Sequence, residues 1–355
     1  MSLRLAAVPL ALAAVLATTS TLAAPSTAVA VGGAVDHPAS LDAAALQALP
    51  QVTQTDTFTS GAASQTHTYI GPTLWSAVNA AGIQTTGAKN DLLNRYVLAT
   101  GSDGYRVVFS MGELSPAFGN RADLVATQET IAGKTAPLAA DGLARATAPG
   151  DAKGGRYVSN LASLSVRASG STTTSRGGGH SDHLAVDGAV AHAGSFDLVA
   201  LKALPVTTET VGGVTYTGVS LWDLLNGQAG IVTDPAVKND ILDKYVVATG
   251  SDGYRTLLSM GEIDPAFGDQ PDLVAYAADG QPLDANGFAR LIVPNDAKAG
   301  RWVSNLVDLQ VFSAAPVPEP ASALMLLAGA GAGLLARATR RTRVTRDPLQ
   351  TEPAR

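Results

Sequence analysis

The sequence predicts an α+β protein whose body is two tandem domains, each with a substantial mixed sheet. Three observations predict it. An internal repeat runs through most of the 355 residues: Tyr96–Arg106 (YVLATGSDGYR) recurs as Tyr245–Arg255 (YVVATGSDGYR). Each repeat holds an Asp-Gly pair between two apolar runs, a strong hairpin signal. The second copy closes on a run with apolar Val303, Leu306, Leu309 and Val311, suited to a half-buried strand.

The repeat sets the domain boundaries. Ser110–Glu113 recurs as Ser259–Glu262, and Pro116–Gly119 as Pro265–Gly268. Asp151–Lys153 with Gly155–Leu161 recurs as Asp296–Lys298 with Gly300–Leu306, and Leu74-Trp75 as Leu221-Trp222. The copies therefore span 31–168 and 184–313. Two copies make a tandem pair rather than a solenoid, and each is long enough to fold alone. Residues 169–183, rich in Gly, Ser and Thr, read as a flexible linker.

Within the second copy, Leu221–Leu225 suits a short helix ending at Gly227 or Gly230. Tyr245–Thr249 and Arg255–Leu258 read as strands around Ser251-Asp252-Gly253. Asp279–Leu283 is a second turn, Ala289–Pro294 a strand, and Trp302–Phe312 the closing strand.

The two ends differ from the body. Residues 1–30 carry Arg4, an apolar run to Leu16 and then small residues, the layout of a secretory signal peptide. Ala28-Val29-Ala30 satisfies the A-x-A rule, so signal peptidase is expected to cut after Ala30; Ala24 is a poorer site because Pro25 follows it. The C-terminal segment, 314–355, contains Pro318-Glu319-Pro320, then Ala321–Ala336 without a charge, then Arg337, Arg340, Arg341 and Arg343. As a helix, 321–336 would rise about 24 Å, slightly short of a bilayer core. The arginines would stay cytoplasmic, leaving the body outside.

Composition excludes several function classes. The chain has no cysteine, so disulfides, thiolate catalysis and Cys-ligated metal are ruled out. One basic residue lies in the leader, and six basic and three acidic residues follow residue 316, which leaves the body at about −10. Nothing there clusters Lys and Arg as a phosphate-tracking surface needs, so nucleic acid is not expected as a partner. No phosphate loop, HExxH, EF-hand or Ser/His/Asp signature appears, and no catalytic or metal-ligating residue is assigned.

Two resemblances add to this reading. Pro318-Glu319-Pro320, the apolar run and the arginine cluster together resemble the PEP-CTERM sorting signal. The resemblance implies processing by an exosortase, removal of the helix, and delivery to the cell surface or extracellular matrix. The tail from Val344 to Arg355 is longer than such signals usually carry. Tyr216–Leu225, Ser251–Tyr254, Asp279–Leu283, Ala289–Pro294 and Lys298 with Arg301–Val303 resemble the molybdopterin-binding domain of the sulfite oxidase family. This resemblance implies that family's fold for both copies. In the family a cysteine thiolate ligates molybdenum, and this chain has none. Met111, Met260 and Met325 offer only neutral thioethers. The fold is therefore expected without the standard redox centre and with no cofactor; molybdopterin held by hydrogen bonds alone is the alternative.

Candidate binding residues follow from both lines. Lys153 with Arg156, and Lys298 with Arg301, are paired cations in acidic copies. The resemblance places this region near a cofactor, so they could bind a cofactor or another anion; a charged strand edge is the competing reading. Glu113 and Glu262 could pair with them. Tyr105, Tyr254, Trp75 and Trp222 could form sugar-stacking platforms, the two tryptophans reading more readily as core. Asp103 and Asp252 read as turn formers before they read as bases. His180, Asp182 and His183 could hold a metal but lack a fourth ligand. The expectation is a non-catalytic surface or matrix protein that binds a ligand or polymer such as an exopolysaccharide. An extracytoplasmic molybdopterin-dependent oxidoreductase is the alternative.

Overall fold

The computed structural model describes residues 24–138 and 140–314. The body up to Ser313 is one compact unit built of mixed sheets with few helices. Each copy contains the same five-stranded sheet. In the first, its order is Ala39–Leu41, Val29–Gly33, Leu161–Ala168, Arg95–Gly101 and Arg106–Ser110. In the second it is Gly194–Phe196, Leu184–Gly188, Leu306–Ser313, Lys244–Gly250 and Arg255–Ser259. The opening and closing strands of each copy run parallel, and every other pair in these two sheets is antiparallel. Parallel pairing needs a long crossover, so nearly the whole copy lies between these two strands.

Local chemistry explains these elements. Lys244–Gly250 is buried at every position, as a β-branched, two-sided strand requires. The hairpins after it and after Arg95–Gly101 turn at Gly253 (φ 85°) and Gly104 (φ 86°), in the left-handed region that favours glycine. Asp252 Oδ1 accepts from Tyr254 N at 2.9 Å and Asp103 Oδ1 from Tyr105 N at 2.9 Å, so both aspartates are engaged as turn formers. Met111–Leu114 and Met260–Ile263 are one-turn helices fixed by capping boxes, Ser110 with Glu113 and Ser259 with Glu262. The expected helix near Leu221 is a wide, π-type turn over Asp223–Ala229 that ends at Gly230 (φ 68°).

A second sheet completes each copy. In the first its order is Gln51–Ser60, Ala63–Pro72, Gln128–Ile131 and Lys134–Pro137. In the second it is Thr207–Val211, Val214–Ser220, Leu273–Ala278 and Gln281–Pro282, with Arg290–Ile292 also on Leu273–Ala278. Gly280 (φ 75°) makes the expected second turn.

Two sequence expectations meet a different geometry. Residues 169–183 do not run as a free linker. Gly170 N donates to Tyr245 Oη (3.1 Å), Thr173 Oγ1 to Asp308 Oδ2 (2.8 Å) and Ser251 Oγ to Gly179 O (2.6 Å), so short hydroxyls and bare glycine backbone strap this segment to the second copy. The first copy does not begin at residue 31, because its opening strand starts at the fully buried Val29. A cut after Ala30, expected from Ala28-Val29-Ala30, would sever that strand. Among the described residues no helix is long and apolar enough to cross a membrane. Pro318, Glu319, Pro320, the apolar run 321–336, Arg337, Arg340, Arg341 and Arg343 lie outside the described residues.

Candidate binding clefts between the two copies

The repeated segments face one another across the body, and several contacts occur twice with the copies exchanged. Tyr96 and Tyr245 pack with ring centroids 4.7 Å apart on the pseudo-twofold. Ala152 N donates to Phe267 O (2.9 Å), and Ala297 N to Phe118 O (3.0 Å). The ring of Phe267 covers Gly155 and that of Phe118 covers Gly300, where a side chain of any size would collide.

The arginines of the cationic pairs lie inside this interface. Arg156 is fully buried; its Nε and Nη2 donate to Asp151 at 2.7 Å and its Nη1 to Glu113 Oε2 at 2.9 Å. Arg301 repeats this with Asp296 (2.8 and 2.5 Å) and Glu262 (2.8 Å). Burial disfavours the charge on each, but Asp151 and Glu113, or Glu262 and Asp296, overcome it and hold both arginines firmly charged. Lys153 and Lys298 point to solvent. Each Lys/Arg pair is thus parted, and the arginine donors are directed at carboxylates of their own copy rather than at an outside anion.

Two carboxyls beside this network make no hydrogen bond among the described residues: Asp123 and Asp272. Burial, reinforced by Glu113, pushes Asp123 up to about 7. Burial also raises Asp272 well above the carboxylate range, and Glu262 rises to about 7 because burial outweighs Arg301. These carboxyls therefore bind a proton more tightly than a free carboxyl does.

Where the interface reaches solvent it opens into clefts built by both copies. One, about 370 Å³, brings Lys89 and Asn90 of the first copy against Asp252, Tyr254 and Arg255 of the second. Its pseudo-symmetric counterpart, about 330 Å³, brings Lys238 and Asn239 of the second copy against Asp103 and Tyr105 of the first. Asn90 Nδ2 donates to Tyr254 Oη at 2.8 Å, and Asn239 Nδ2 to Tyr105 Oη at 2.8 Å. Each tyrosine hydroxyl in turn donates to a glycine carbonyl of its own copy, Gly300 or Gly155. Lys89 Nζ lies 6.0 Å from the Tyr254 ring and Lys238 Nζ 5.9 Å from the Tyr105 ring, at the reach of a cation–π contact. Both asparagines are held at positive φ (54° and 52°), which aims their amides across the interface.

Of the residues singled out by sequence, Tyr105 and Tyr254 line these clefts; Trp75 and Trp222 pack against the two cores. His183 and Asp182 form an exposed pair (3.1 Å), and among the described residues no three His, Asp or Glu side chains are grouped to hold a metal. Lys89, Asn90, Lys238 and Asn239 were not singled out. The signal was present: Lys89-Asn90-Asp91 recurs as Lys238-Asn239-Asp240. The residues do not fit a thiolate-ligated molybdenum. The chain has no cysteine, and Met111 and Met260 are fully buried thioethers within the two cores.

Residues 189–317 match the family model of the oxidoreductase molybdopterin binding domain, and residues 316–341 that of the PEP-CTERM protein-sorting motif. No curated protein sequence matches the chain. Among solved structures, the sulfane dehydrogenase SoxCD from Paracoccus pantotrophus is similar at 13% identity and a TM-score of 0.32, over 65% of this chain and 58% of that one. The sorting motif implies export, delivery to the cell surface and processing by an exosortase. The chain thus carries the molybdopterin-binding oxidoreductase domain over most of its second repeat and a PEP-CTERM sorting motif at its C-terminus.

Proposed function

We propose that the exported body is a non-catalytic surface or matrix protein that binds a hydroxyl-rich polymer, such as the exopolysaccharide of its own cells, through the two clefts. The observation that carries this reading is the pairing of Tyr254 with Lys89 and Asn90, repeated as Tyr105 with Lys238 and Asn239. Each cleft offers an aromatic ring for the apolar face of a sugar ring, beside amide, ammonium and carboxylate groups for its hydroxyls. The body charge of about −10 favours a neutral polymer over a polyanion. Two equivalent clefts would raise avidity for a repeating chain.

The test is co-sedimentation of the exported protein with purified exopolysaccharide from the producing cells, followed by titration calorimetry with its oligosaccharides. Binding that weakens in Tyr105→Ala and Tyr254→Ala supports the reading. No binding to any fraction would leave a purely structural matrix component.

The second reading is an extracytoplasmic molybdopterin-dependent oxidoreductase, favoured by the family match over residues 189–317. A pterin would have to be held without thiolate ligation, by hydrogen bonds alone. Stoichiometric molybdenum with pterin fluorescence in the purified protein would favour it over polymer binding. Folded, metal-free protein would count against it.

A further inference from the structure

The segment just before the expected cleavage point is part of the folded body. Val29 is fully buried and Val31 is 2% exposed. Val29, Ala30 and Val31 pair with Leu41, Ser40 and Ala39 on one side, and Ala30 and Val31 run parallel to Ser163 and Leu164 on the other. Further upstream, Ser26 O accepts from Leu143 N at 2.8 Å. Ser26 also packs against Gly142 beside Asn160, where a Cβ on Gly142 would come within 2.7 Å of Ser26 Oγ.

The second copy shows that this arrangement belongs to the repeat. There Ser181 packs against Gly287 beside Asn305, and Leu184 and Val186 open the same strand, both fully buried. Val186 lies parallel to Leu309 in the closing strand. Ser181–Val186 sits in mid-chain, out of reach of a peptidase acting on a leader, so it reports what the intact fold contains. By this equivalence the first copy begins at Ser26.

A cut after Ala30 would delete Val29 and Ala30 from a five-residue strand and remove Ser26 from Leu143. A cut after Ala28 would place a new ammonium group on the fully buried Val29, where a charge lacks solvation. Cleavage directly after Ala24 is blocked by Pro25 at the first position of the product. One bond upstream, Thr21-Leu22-Ala23 places small residues at the third and first positions before the cut and moves Pro25 to the second position after it.

We infer that signal peptidase hydrolyses the Ala23–Ala24 bond, so that the mature chain begins at Ala24. Water supplies the hydroxyl to the Ala23 carbonyl and a proton to the Ala24 amine. The inference rests on export but not on what the clefts bind, so a failed polymer assay leaves it standing.

The test is N-terminal sequencing of the full chain as exported by its own cells, with the mass of the N-terminal proteolytic peptide; both are blind to C-terminal processing. Ala24 is the expected first residue. A mature chain starting at Val29 or Val31, or an exported chain retaining Met1 or Ser2, would overturn the assignment. Two variants sharpen it. Ala23→Gln is expected to reduce mature protein about ten-fold or more, since the position before the cut demands a small side chain. Ala30→Gln, whose side chain faces solvent, is expected to leave the amount and the N-terminus unchanged. The reverse pattern would return the cut to Ala30.

Discussion

Arg156 of the first copy lies on Gly261 of the second, and a Cβ added at Gly261 would fall 2.4 Å from the arginine Cδ. Arg301 stands in the same relation to Gly112, at 2.3 Å. Each arginine therefore carries two loads: its head neutralises carboxylates of its own copy, and its stem covers bare backbone of the other. The Met-Gly-Glu segments combine both ends of this arrangement, with glycine receiving one arginine and glutamate binding the other.

Gly261→Ala and Gly112→Ala are expected to destabilise the body by about 1–3 kcal/mol each, in the range for overpacking a close contact. The arginine stems cannot swing aside, because three hydrogen bonds fix each head. Gly87→Ala, where nothing lies within 4 Å, is the control and should be near neutral. Urea denaturation of the three variants makes the comparison. Equal midpoints would show that the arginine stems are free to move.

Arg156→Met is expected to cost about 3–5 kcal/mol, since it leaves Glu113 buried without its cation and Asp151 with only the longer contact to Arg121 at 3.3 Å. Arg156→Lys should recover only part of this, because an ammonium cannot reproduce the two-pronged bond to Asp151. As the two copies share one interface, unfolding should remain a single transition in both variants. A separate early transition confined to one copy would show that the copies are independent, which differential scanning calorimetry would detect.

Much of this was legible in sequence, and the missing part has a physical cause. The hairpins were readable because Asp-Gly is a local signal: Gly104 and Gly253 need positive φ whatever surrounds them. The repeat announced that the copies share a fold. It could not announce that they face each other, since Arg156 and Gly261 are 105 positions apart and neither has an unusual neighbour in sequence. Arg156 and Arg301 looked like an exposed anion site because burial of an arginine depends on tertiary carboxylates. Asn90 and Asn239 recur as plainly as the tyrosines they bond, but an asparagine in a loop carries no pattern of its own. The strand start at Val29 was hidden by small residues that satisfy a cleavage rule as readily as a sheet.

The buried carboxyls predict a stability that falls as pH rises. Asp123 is lifted from 3.8 to about 7 and Glu262 from 4.5 to about 7, chiefly by burial, and Asp272 is lifted in the same direction. A raised folded value means that the native state binds the proton more tightly than the unfolded chain does. The contribution is complete below about pH 4 and is lost as pH rises through about 7. Thermal midpoints should therefore fall between pH 5 and pH 8, by an amount on the order of a few kcal/mol in stability. Asp123→Asn and Asp272→Asn keep the shape without the ionisation, so each should flatten that slope and raise the midpoint at pH 8. A slope unchanged in the double variant would place the titrating protons elsewhere.

The clefts predict separate roles for the ring and the hydroxyl of each tyrosine. Tyr254→Ala removes the ring and is expected to weaken polymer binding about two- to ten-fold, the range of one aromatic contact. Tyr254→Phe keeps the ring but loses the bonds to Asn90 and to the Gly300 carbonyl, which lie within the protein. It should bind nearly as well as the parent while melting at a lower temperature, because the loss falls on the interface. The same pair of outcomes is expected at Tyr105, whose hydroxyl meets Asn239 and Gly155. Combining Tyr105→Ala with Tyr254→Ala should weaken binding to long polymer far more than to short oligosaccharides, since only a long chain can engage both clefts at once. If both lengths weaken equally, the clefts act singly; if the alanine variants lose only stability, the rings belong to the interface and the polymer binds elsewhere.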